Sequence, residues 1–176
     1  QITGGAAIRL CWGDRPYVVL SVGGFHPEFV PEPALVPVPE RVGLTCGTPE
    51  DWFYLRLATY VAITTSTFQL GASVEVRINL EVIEAEGMLA FDALIVFDPF
   101  YFSVRFMAGF RIKILGINIA SASMSGTISG PGPVTFAGEV TVEILFIRVS
   151  WSGSFSIGSE AVPALPDVES VLDRVA

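Results

Sequence analysis

The sequence contains a single histidine, His26, in the string GGFHPEF. Histidine is the side chain best suited to proton transfer near neutral pH, so His26 is the first candidate for a general base. His26 follows Gly23 and Gly24 and precedes Pro27, which predicts a bend after a strand. In such a bend, a histidine that is hydrogen-bonded to a nearby backbone carbonyl is commoner than a general base. The motif GxSxG is absent, and Ser154 in WSGSF lies in a strand-like pattern with no helix after it. A Ser–His–Asp hydrolase would therefore require convergence, and it is the weaker hypothesis. We favour a protein that is not an enzyme and assign no catalytic residue.

Paired carboxylates occur at two turns, where Glu84 and Glu86 flank one turn and Glu50 and Asp51 precede Trp52. A glycosidase needs two acids that face each other across a cleft with aromatic platforms. Calcium needs more oxygen ligands than either of these loops provides. Acidic turns on an acidic protein are usually solvated, so the sequence predicts neither a metal site nor a cofactor site.

Aromatic residues are concentrated in the string FDPFYF. A corner of the core at a strand turn is the favoured interpretation of this cluster. The alternative is an interface or a membrane belt, because Tyr and Phe are enriched at both. We expect contacts with a partner or ligand to involve this cluster and two residues outside it, namely Phe97, Phe100, Tyr101, Phe102, His26 and Trp52.

The composition sets the class of protein and of partner. The chain has 176 residues, of which 51% are hydrophobic and 16% charged, and its 10 basic and 18 acidic residues give a net charge of −8. That much apolar surface excludes intrinsic disorder, and the negative charge disfavours binding to nucleic acid. No apolar run approaches the 18 or so residues of a membrane-spanning helix. Cys11 and Cys46 are too far apart for a CxxC site; two buried free thiols are the favoured interpretation, with a disulfide between neighbouring strands as the alternative.

The sequence predicts that the elements that position these residues form one β-rich domain, residues 1–176. Residues 1–25 predict an N-terminal hairpin whose strands are AIRLCW and YVVLSV. Residues 26–51 form an arm with five prolines between 27 and 39, which predicts extended chain rather than a central strand. Residues 52–158 show persistent alternation of apolar and polar residues, the pattern of antiparallel strands with one face on a core and one in water. Residues 159–176 predict a tail with an amphipathic helix that follows Asp167 as N-cap.

The fold class that follows is all-β: an antiparallel meander of nine or ten strands that forms a curved sheet, sandwich or open barrel, with one short C-terminal helix. The run 87–97 is apolar on both faces except at Asp92, which predicts a strand covered on both sides. The alternation changes phase at residues 145–147, which predicts a bulge or burial of both faces.

Several strings together resemble a bacterial family defined as domain of unknown function 6603. They are WGD at 12–14, VLSVGGFHPEF at 19–29, FDALIVFDPFYFSV at 91–104, SGPGPVTFAGEVTVEILFIRVSWSGSF at 129–155 and LPDVESVL near the end. The resemblance covers nearly the whole chain and implies one segment of a longer β-rich protein. It implies no activity and transfers no catalytic residue.

Three functions compete at this point. The first is a non-enzymatic structural or assembly module that docks onto other segments of its parent protein or onto copies of itself. The second is a carrier of lipid or another apolar ligand inside a rolled sheet. An outer-membrane barrel is a third, weaker hypothesis, because the proline arm and the predicted helix do not fit it.

Overall fold

The computed structural model describes residues 1–13, 16–29 and 37–159, and all regular structure in these ranges is β-strand. The predicted C-terminal helix and part of the proline-rich arm lie outside the described residues. The strands are β1 (Ile2–Thr3), β2 (Ala6–Cys11), β3 (Tyr17–Val22), β4 (Val42–Cys46), β5 (Phe53–Thr64), β6 (Thr67–Leu80), β7 (Ile83–Phe97), β8 (Phe100–Ile114), β9 (Ile117–Gly130), β10 (Val134–Ile144) and β11 (Ile147–Ile157).

The strands form one open antiparallel sheet in the order β1-β4-β5-β6-β7-β8-β9-β10-β11. The predicted hairpin of β2 and β3 is present, and β3 pairs with the end of β5 beside the segment that β4 occupies. From β5 onwards each strand pairs with the next, because turns of two or three residues leave no room for any other neighbour. The all-β antiparallel fold class is therefore confirmed, in its open-sheet form.

The phase change at 145–147 marks a turn between two strands and no bulge. Leu145 has a positive φ of 55° and lies between Ile144 and Ile147, which pair with each other. The change of register between paired strands lies elsewhere, at Ile112 and Lys113, where β8 pairs with β9. The two residues of this hairpin turn, Leu145 and Phe146, are both apolar. The turn therefore lacks the glycine or polar residues by which a turn is usually recognised in a sequence.

The register places two different surfaces on the two sides of the sheet. Directly opposed residues in an antiparallel pair point to the same side. One row of opposed residues crosses nine strands and is apolar throughout: Ile2, Leu44, Leu57, Val74, Leu89, Ala108, Met124, Val140 and Trp151. We call the side that carries this row the apolar face.

The opposite side of the sheet, the polar face, carries most of the charged and hydroxyl side chains. Its neighbouring row contains Thr45, Arg56, Glu75, Met88, Gly109, Ser123, Thr141 and Ser150. A second row places Arg77 opposite Glu86 and Glu86 opposite Arg111. Opposite charges alternate along that row, which favours this register over a slipped one.

The buried core of the described residues lies on the polar face, contrary to the expectation from the alternation. Val19 and Ala62 are buried beneath Phe25, and Phe29 packs against the same cluster. The apolar face has no second layer among the described residues, and the side chains of Leu89, Phe110 and Trp151 are exposed. The prediction that residues 87–97 are covered on both sides is therefore wrong for the described chain, since Met88 and Leu89 are exposed on opposite faces.

Candidate functional site

The apolar face is the most extensive candidate site. Every strand from β5 to β11 contributes at least five apolar or glycine residues to it, because alternate residues of a strand lie on the same side of the sheet. A single sheet layer with an apolar side needs a second layer to remove that side from water. The face therefore has the chemistry of a packing surface, and it offers neither nucleophile nor titratable group along its central row.

The aromatic cluster is divided between the two faces by its position in β7 and β8. Phe97 and Phe100 pair across the turn and lie on the apolar face with Phe102, whereas Tyr101 points to the polar face. The Phe100 and Phe102 rings lie 6.3 Å apart between centroids. Phe100 is 56% exposed, and Phe97 and Tyr101 are also exposed. The favoured core-corner interpretation is therefore wrong for these three side chains, and the interface interpretation stays a prediction.

Trp52 lies apart from both the aromatic cluster and His26. It precedes β5, is 69% exposed, and its ring centroid lies 5.7 Å from that of Phe53. The structure therefore does not bring the six sequence-predicted contact residues together in one site.

His26 is buried within a loop that folds over the polar face. We call residues 23–29 the clasp. The backbone N–H of His26 donates to Gln69 Oε1 at 2.8 Å, and its ring Nδ1 accepts the backbone N–H of Glu28 at 3.1 Å. The predicted partner, a backbone carbonyl, is thus replaced by a backbone amide, which keeps Nδ1 unprotonated. Burial lowers the pKa of His26, an effect that exceeds the opposing influence of Asp92 and Glu28.

Arg41, the residue before β4, holds the clasp through two hydrogen bonds. Its guanidinium donates to the carbonyl oxygens of Gly23 at 3.1 Å and Phe25 at 2.7 Å. It also lies over the Tyr60 ring, 3.8 Å from the centroid, in a cation–π contact. At the far end, Glu28 forms an ion pair with Arg105 of β8. The clasp is therefore tied to three separate strands or strand-flanking segments.

Tyr60 and Asp92 form the centre of this polar network. The Tyr60 hydroxyl donates to Asp92 Oδ1 at 2.7 Å. Burial, followed by this hydrogen bond, raises the pKa of Tyr60, so the phenol stays protonated at any physiological pH. Gly71 lies between the two residues in the register, and a Cβ there would overlap the Tyr60 ring and lie 2.7 Å from Asp92 Oδ1. The one sequence signal for this network was Asp92, the single charge in the otherwise apolar run 87–97.

Two hollows lie on the polar face, of about 890 and 610 Å³. The larger is lined by charged side chains that already pair with one another: Arg77 with Glu75 at 2.9 Å, Arg111 with Glu86 at 3.6 Å, and Arg148 with Glu143 at 2.5 Å. The Arg148 hydrogen bond also lowers the pKa of Glu143. Two of these pairs, Arg111 with Glu86 and Arg148 with Glu143, join directly opposed residues of neighbouring strands and so favour the register of the sheet.

Metal-binding groups are dispersed in the described part of the chain, where no three His, Cys, Asp or Glu side chains gather into a cation site. Cys11 and Cys46 are both free thiols and not a disulfide. Cys11 is half-buried and Cys46 is exposed, so the prediction that both are buried is wrong. The described ranges also contain no helix of the length and apolarity that crossing a membrane requires.

Comparison with known proteins finds one family. No curated protein and no solved structure matches the chain. The family described as "Family of unknown function (DUF6603)" matches residues 1–175, as the strings WGD and GGFHPEF indicated, and the chain therefore belongs to this family.

Proposed function

We propose that this chain is a non-enzymatic assembly module whose apolar face packs against a second apolar β-sheet face. The observation that carries the proposal is the uninterrupted apolar row from Ile2 to Trp151, which no described residue covers. In the isolated chain the occupant is a second copy, packed face to face; within a longer parent protein, another of its segments would supply the same kind of surface.

The size of the face supports this occupant. The seven long strands, β5 to β11, lie about 4.8 Å apart and span about 29 Å, and eleven residues of strand span about 36 Å, so the face covers on the order of 1,000 Å². A stable protein–protein interface needs about 800 Å² from each partner. Two such faces would form a sandwich with a core about 10 Å thick, which is the usual way to complete a one-sided sheet.

The charge distribution supports a protein partner over a membrane or an enclosed lipid. The chain carries one lysine and a net charge of −8, whereas surface-bound membrane proteins attract anionic headgroups with basic residues. The two hollows lie on the polar face, so neither offers an apolar cavity for a lipid chain. A carrier function would use the apolar face itself.

A matched pair of substitutions in β7 tests the proposal. Leu89 and Met88 are adjacent and similarly exposed, at 56% and 48%, but they lie on the apolar and polar faces respectively. We expect the native chain to have at least twice the 18.9 kDa mass of one copy in native mass spectrometry. Leu89→Lys should lower the mass of the native assembly, because a buried unpaired charge in the sheet interface is costly, while Met88→Lys should leave it unchanged.

The outcomes separate the competing functions. A native chain that is a lipid-free monomer at high concentration, or equal effects of the two lysines, would refute the proposal. Lipid that copurifies with the native chain and is lost in Leu89→Lys would establish the carrier function instead.

A further inference from the structure

The outer edge of β11 is the least protected backbone in the described structure. β11 pairs with β10 along all eleven residues from Ile147 to Ile157 without interruption, and none of the other described strands lies against its opposite edge. Every residue of β11 is exposed. Proteins usually protect such an edge with proline, lysine, a bulge or a short strand. β11 has none of these, and its only charged residue is Arg148.

We infer that β11 is a strand-addition site that takes β11 of a second copy, antiparallel and centred on Ser152. This inference rests on the proposed assembly function and identifies a second contact for it, made by backbone hydrogen bonds at the edge and not by the apolar face. The result is a continuous sheet across two copies related by a twofold axis perpendicular to it.

The sequence of β11 is self-complementary in this register. The odd-numbered residues of β11 lie on the apolar face, because side chains alternate with period two. The apolar faces of both copies therefore lie on the same side only in registers that pair odd-numbered residues with odd-numbered residues. Pairing of the full strand, 147 with 157 and 152 with 152, is one of them. It places Ile opposite Ile, Val149 opposite Phe155, and Arg148 opposite Ser156, so no two like charges face each other.

Trp151 and Gly153 provide a specific fit at the centre. In the proposed register the Trp151 side chain of each copy lies opposite Gly153 of the other. Nothing in the described chain lies within 4 Å of the position that a Cβ on Gly153 would occupy, and Trp151 is exposed. An aromatic ring across from a strand glycine covers the backbone that the glycine leaves open. A different strand as partner would need an aromatic residue at the matching position to do the same.

Cysteine cross-linking tests the contact and its register. In a chain that carries Cys11→Ser, Cys46→Ser and Leu89→Lys, the Ser152→Cys side chains of two copies would face each other across the axis at disulfide distance. The matched control is Ser154→Cys, on the same strand and face. Its two copies would lie four residues apart, about 13 Å, which is too far for a disulfide. Under mild oxidation we expect Ser152→Cys to form covalent dimer at least tenfold faster than Ser154→Cys.

Each outcome decides the inference. Equal rates for the two cysteines, faster cross-linking of Ser154→Cys, or no covalent dimer from either at about 100 µM chain would overturn it. Because Leu89→Lys is present throughout, the result is independent of the apolar face. If the Leu89→Lys chain keeps the native mass but Ser152→Cys cross-links selectively, the proposed face-to-face packing fails while the edge contact stands.

Discussion

Removal of one hydroxyl, in Tyr60→Phe, tests whether the network under the clasp stabilises the fold. Tyr60 is 5% exposed, and its hydroxyl donates to Asp92 Oδ1 at 2.7 Å. The substitution keeps the aromatic ring and hence the stacking of Arg41 at 3.8 Å, so it removes little besides the hydrogen bond.

The magnitude follows from the partner and its exposure. A hydrogen bond to a charged group contributes about 1.5–3 kcal/mol to stability. Asp92 is only partly buried, so water can replace part of the lost bond, and the lower part of that range applies. We expect the free energy of unfolding to fall by about 1.5–2 kcal/mol. For a domain of this size that lowers Tm by about 3–8 °C.

Urea denaturation followed by tryptophan fluorescence measures this loss, with Tyr101→Phe as the control. Tyr101 lies on the same polar face but is 43% exposed, so its variant should lose less than about 0.5 kcal/mol. The double variant with Asp92→Ala should lose less than the sum of the two single variants, by about 1 kcal/mol, because both remove the same bond. If Tyr60→Phe loses no more than Tyr101→Phe, or the two single effects simply add, the hydrogen bond does not stabilise the fold.

Two further predictions concern the same network. His26 has a lowered pKa in the folded chain, so the unfolded chain takes up its proton first as the pH falls. In urea melts, stability should therefore be highest at pH values well above about 6.5 and should decrease as the pH falls through and below that value. His26→Asn, whose Oδ1 can accept the same backbone N–H, should flatten that slope, and an unchanged slope would mean that another group causes it. Gly71→Ala should destabilise by about 1–3 kcal/mol in thermal melts, because its Cβ would overlap a packed ring. Gly87→Ala, with open space around its Cβ, should change stability by less than about 0.5 kcal/mol, and similar losses for both would refute the steric explanation.

Period-two alternation was sufficient to predict the strands and their sidedness. Residues such as Val74, Val76 and Ile78 lie on one face because successive side chains in a strand point to opposite sides whatever surrounds them. Family membership was also evident in the residues themselves, since strings such as GGFHPEF are local. The prediction that His26 lies at a bend after β3 was correct because the glycines and the proline that cause the bend are also local. The predicted hydrogen-bond partner of its ring, a backbone carbonyl, was wrong.

What only the tertiary structure decided depends on contacts between residues distant in the chain. Alternation cannot show which face is covered, and here the buried core formed on the polar side, where the clasp folds back over β3 and β5. The network of Tyr60, Asp92 and Arg41 joins positions up to 51 residues apart and has no local signature beyond the isolated charge of Asp92. The open edge of β11 likewise follows from the order of strands in the sheet. Side-chain periodicity is a property of the local backbone, whereas burial and strand neighbours exist only once the whole chain is folded.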